Sequence, residues 1–121
     1  MSHEAQLRRL AALEGDIAVA VKHYAGREIE GIRFAAGAEE ADLSSNVDLL
    51  VRSQGKGERE FSVVSLSALS RFITGQSPAA HALVDDFYTV GGPLIVVREM
   101  SPDVIARGVL KYLRMERALG I

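Results

Sequence analysis

The chain contains no cysteine, which excludes disulfides, thiolate metal sites and cysteine nucleophiles together. A reducing compartment suits such a sequence, and the cytoplasm is the expected one. Long apolar runs are also missing. No stretch is long enough to span a bilayer, and no N-terminal run has signal-peptide character, so no membrane association is expected. An excess of positive charge is absent too: Lys and Arg number 14 against 16 Asp and Glu, a formal net charge of −2. That balance disfavours a general nucleic-acid binder, whose basic excess neutralises phosphates, though it leaves room for a local basic patch. No Gly-x-Ser-x-Gly elbow occurs, and no glycine pair continues into a phosphate-binding loop. No cofactor motif is present.

Proline is scarce, and its three occurrences all stand at element boundaries. Ser77-Pro78 and Ser101-Pro102 each read as a helix start, because Ser caps free N–H groups and Pro suits the first helical position. Gly91-Gly92-Pro93 breaks the first of these helices and precedes the apolar run Leu94 to Val97. That run lacks alternation, which predicts an interior strand with both faces covered. Apolar residues make up 48% and charged residues 25%, values of an ordinary globular chain, and 121 residues suffice for one domain with a real core. Residues 1–121 therefore read as a single α+β domain.

A first helix is expected over residues 2 to 25. Leu7, Leu10, Leu13, Ile17, Val21 and Tyr24 recur every three or four positions and form its apolar stripe. Gly15 weakens its middle and could mark a kink or a break; Gly26 suits its end. Three strands follow. Ile32 and Phe34 face inward from the first, Val47, Leu49 and Val51 from the second, and Phe61 and Val63 from the third. Gln54-Gly55-Lys56-Gly57 forms the hairpin turn between the last two. A short helix from Ser65 or Ser67 then buries Leu66, Leu69, Phe72 and Ile73, and the Ser77-Pro78 helix buries Ala80, Leu83, Val84 and Phe87. The element order is α-β-β-β-α-α-β-α, with a mainly antiparallel four-stranded sheet and helices packed on it.

Candidate sites are few. His81 and Asp85 lie four apart on one helix with Tyr88 on the same edge, a spacing that serves a shared metal or an acid–base pair. No companion ligands accompany them, so no metal is expected, and a helix-edge His beside a solvated Asp explains the pair. A small-molecule pocket there would use Phe34, Phe61, Phe87 and Tyr88 as its walls. Glu39, Glu40, Asp42 and Asp48 are acidic but lack the calcium-loop spacing. Residues 66 to 90 fit a helix-turn-helix outline, but the second helix carries Asp85 and Asp86 and no Lys or Arg, which repels phosphate.

The last helix carries a basic stripe, Arg107, Lys111, Arg114 and Arg117. Helix-dipole compensation and a solvated face explain it, while an acidic partner or a nucleic acid could use it together with Arg8 and Arg9. On the other side Val104, Ile105, Val109, Tyr112, Leu113, Met115 and Leu119 cover roughly 200°, against roughly 100° for a helix with one core contact. A second subunit, or the first helix, must cover the excess. The sequence reading is therefore a non-catalytic, homodimeric binding or accessory protein acting through a protein surface, with Tyr112, Met115 and Leu119 as interface candidates. A ligand-binding or enzymatic role at His81, Asp85 and Tyr88 and a nucleic-acid role for the terminal helices are the alternatives. In element order the chain is similar to small dimeric secretion chaperones, which also begin with a helix, run through a three-strand meander and end with a helix. A further strand of that family is missing and no motif carries the likeness, so no family is assigned.

Overall fold

The computed structural model describes residues 2–35, 46–74 and 93–120, with the backbone alone at 72 and 73. The Ser77-Pro78 helix with His81, Asp85, Phe87 and Tyr88, the acidic residues Glu39, Glu40 and Asp42, and Gly91-Gly92 lie outside the described residues.

The helix α1 spans His3–Ala25 and is continuous through Gly15. Ser2 caps it: its Oγ accepts the Ala5 N–H at 3.1 Å. Gly26 ends it at φ 56°, a conformation that a β-carbon resists. A meander follows, β1 (Ile29–Phe34), β2 (Asn46–Ser53) and β3 (Gly57–Ser65). Gly55 and Gly57, both at positive φ, shape the turn between β2 and β3. The helix α2 (Leu66–Ile73) begins where the Ser65 Oγ accepts the Ala68 N–H at 3.2 Å. The strand β4 (Leu94–Val97) and the helix α3 (Pro102–Ala118) complete the described elements. Ser101 occupies the cap position of α3 but makes no side-chain cap bond; its carbonyl accepts the Ile105 N–H and Pro102 opens the helix.

The sheet order is β1-β2-β3-β4, antiparallel except for the parallel pair β3–β4. Register places the inward residues side by side: Phe34 opposite Leu49 opposite Phe61, and Val47 opposite Val63 opposite Ile95. These residues and Val51 and Val97 form one buried cluster with Ile17, Val21 and Ala25 of α1 and with Ile105, Ala106, Val109, Leu110 and Leu113 of α3. One face of the sheet thus carries both long helices, which also pack on each other.

Three expectations need correction. Among the described residues β4 is an edge strand with β3 as its one neighbour, and Val96 is 44% exposed while Ile95 and Val97 are buried. An unbroken apolar run does not distinguish two covered faces from one, because strand parity alone decides which side chains point inward. Leu7 and Tyr24 fall on the margin of the α1 stripe and are exposed, and so is Leu66 at the start of α2. At the opposite edge, the Glu14 carboxylate of α1 accepts the outward Phe34 N–H of β1 at 2.8 Å, covering part of that sheet edge.

Candidate interaction surface

Two polar links fix α3 against α1 and the turn that follows α1. The Tyr24 hydroxyl donates to Asp103 Oδ1, and Asp103 also accepts Arg107 Nε at 2.9 Å. The hydrogen bond to Asp103 pushes the Tyr24 hydroxyl above its ordinary pKa, with partial burial in the same direction. The same bond, aided by Arg107, holds the Asp103 carboxyl below the ordinary value. Glu28 accepts from Arg114 Nε at 3.2 Å and Nη2 at 2.8 Å, with Arg117 at 3.7 Å. The Arg114 bond is the main cause of a lowered Glu28 pKa.

A third pair lies beneath the helix. Arg59 of β3 donates to Glu116 of α3 at 3.0 and 2.6 Å, and its guanidinium sits 5.3 Å from the centre of the Phe61 ring. Glu116 is buried, and the Arg59 bond holds its carboxyl below the ordinary value against the opposing effect of desolvation. Arg59 Nε and Ser53 Oγ are buried without a hydrogen-bond partner. Tyr112 stands half-buried, edge-on to Phe61 with ring centres 5.4 Å apart. It therefore faces the sheet rather than the outside.

Above these links runs a groove of about 440 Å³ lined by Tyr24, Arg107, Leu110, Lys111, Arg114 and Met115. Its floor is Leu110, which is buried, and its wall is Tyr24, 38% exposed. Met115 is 53% exposed and Leu119, one turn further, 72%. The Asp103 and Leu110 side of α3 thus meets Tyr24 of α1, Gly108 lies against Ile95 of β4, and Met115 and Leu119 are exposed. No family model, curated protein or solved structure matches this chain.

The residues named from the sequence fall in different places. Met115 and Leu119 share the outward face of α3, while Tyr112 does not. His81, Asp85 and Tyr88 lie outside the described residues. Phe34 and Phe61, named as pocket walls, are core residues packed under the helices. The basic stripe is exposed, with Arg107 paired to Asp103 and Arg114 and Arg117 to Glu28. Arg9 belongs to another groove, about 560 Å³ and lined by Asp16, Ser65, Ser67, Arg98 and Glu99 among others, so it does not extend the stripe. Tyr24 and Leu110 were not identified as surface-forming from the sequence. The signal for Tyr24 was present: an aromatic with a polar tip at the last turn of an apolar stripe. Among the described residues no three His, Asp or Glu come together as a metal-holding group, and no helix is long and apolar enough to cross a membrane.

Proposed function

We propose that the protein is non-catalytic, a small homodimeric binding or accessory protein that works through the outward face of α1 and α3. The observation that carries this reading is the exposure of Met115 and Leu119, one turn apart on α3, beside the apolar groove formed with Tyr24 and Leu110. Clustered exposed apolar side chains rimmed by charge favour a protein surface over a reaction centre. The charged groups around them support the same reading, because Asp103, Glu28 and Glu116 are each held by a structural cation rather than aimed together at a cleft. Self-association centres on Met115 and Leu119, and the stripe Arg107, Lys111, Arg114 stays at the rim, since burying those cations unpaired is costly. Closed two-fold pairs are the commonest arrangement of a self-complementary patch.

Light scattering after size exclusion tests it. The expected mass is twice that of the 13.1 kDa chain, and Met115→Glu with Leu119→Glu should return a monomer with an unchanged far-ultraviolet spectrum. A monomeric wild-type chain at tens of micromolar would end the homodimer reading.

A further inference from the structure

We infer that the groove between α1 and α3 docks an acidic amphipathic helical segment of a protein partner. The inference rests on the proposed reading of this face as a binding surface, but not on self-association, and a partner helix and a second copy of the chain would compete for Met115. Three observations converge. First, the groove has an apolar lining: buried Leu110 lines it together with exposed Tyr24 and Met115, whose flexible side chain adapts to varied apolar surfaces. Second, the rim is cationic in a helical repeat. Arg107, Lys111 and Arg114 stand at i, i+4 and i+7 and are all exposed, so they form a row along the groove. Third, the row keeps a positive excess among the described residues, because Arg107, Lys111 and Arg114, with Arg117 one turn on, face two carboxylates, Asp103 and Glu28. Asp103 takes Arg107 and Glu28 takes both Arg114 and Arg117, while Lys111 has no ion-pair partner among the described residues.

An apolar slot beside a row with a positive excess is matched by a helix with apolar side chains on one face and carboxylates on the next. This is the helix-in-groove mode of recognition, with charge setting orientation and partner choice. A nucleic acid fits the same row less well. The apolar floor would gain nothing from a sugar-phosphate chain.

The test uses the intact chain and a fluorescein-labelled helical peptide with Glu at i, i+4 and i+7 and Leu on the adjoining face, read by anisotropy at low salt. Saturable binding is expected, weakened about tenfold by Lys111→Glu and less by Lys111→Ala. Neither variant breaks an ion pair among the described residues, and unchanged far-ultraviolet spectra would confirm that both fold. A peptide with Lys in place of Glu should not bind, and one with Ser in place of Leu should bind weakly. Equal binding by either control peptide, tighter binding by a duplex DNA of similar charge, or no binding by the Glu/Leu peptide would overturn the inference. Light scattering on the same samples separates this failure from that of the broader reading: a dimer dispersed by Met115→Glu with Leu119→Glu leaves the interaction surface in place without this partner.

Discussion

Gly15 and Gly108 are both helical glycines, yet their surroundings give opposite expectations for substitution. A β-carbon on Gly15 would meet nothing within 4 Å, so Gly15→Ala should stabilise the chain by about 0.5–1 kcal/mol through helix propensity and the loss of unfolded-state freedom. A β-carbon on Gly108 would lie 3.0 Å from Cγ2 of Ile95, where α3 crosses β4 closely. Gly108→Leu should therefore cost about 1–3 kcal/mol by overpacking. Denaturant midpoints of the two variants check the pair. The same reasoning separates neighbours on β4. Val97 points into the core and Val96 away from it, so Val97→Asp should abolish cooperative unfolding, since an unpaired buried carboxylate costs several kcal/mol. Val96→Asp should remain folded; its unfolding at room temperature would show that the outer face is covered after all.

At the scale of elements, Arg59 and Glu116 join β3 to α3 through a partly buried pair. Removing one partner leaves the other partly buried and unpaired, so Glu116→Ala should cost about 2 kcal/mol, more than replacement of both residues by leucine. Acid should act on the same contact. The folded pKa of Glu116 is depressed, as are those of Glu28 and Asp103. Their contribution is fully present above the unfolded carboxylate values of about 4 and is lost as pH falls through the lower folded values. Urea midpoints should hold steady near neutrality and drop in acid, with a shallower drop for Glu116→Gln. These links show what the sequence could and could not convey. The long helices, the β2–β3 turn and the inward residues of the meander follow rules acting over a few residues, and they were legible. The partners Tyr24 and Asp103 are 79 positions apart and Arg59 and Glu116 are 57 apart, so no local rule names them. Arg59 did share strand parity with Phe61 and Val63, and Glu116 the helical phase of Val109 and Leu113. Two opposite charges on inward phases were the available sign of a buried pair. The edge position of β4 had no such sign, because pairing partners are chosen by topology rather than by the strand itself.

In the whole molecule, stability should be graded from the sheet centre outward. The strands β2 and β3 each have two neighbours and supply Val47, Leu49, Val51, Phe61 and Val63 to the interior, where all five are essentially inaccessible to solvent. The helices α1 and α3 close over them from one side. In contrast, α2 packs mainly against β3 and β4, and Leu66, Ser67, Ser70 and Arg71 on it are exposed. Among the described side chains of α2 none belongs to the core cluster, so their opening exposes little of it. Opening of β2 or β3 requires the inward layers of neighbouring strands to separate, which amounts to global unfolding. Native-state hydrogen exchange should therefore find β2 and β3 amides limited by the full unfolding free energy and α2 amides exchanging orders of magnitude faster. The α1 and α3 amides should lie close to the strands, because Ile17, Val21, Ile105 and Val109 belong to the same cluster. If α2 proved as protected as β3, its half-buried Ala68 and Leu69 would be part of the cooperative unit, and the graded picture would fail at that helix.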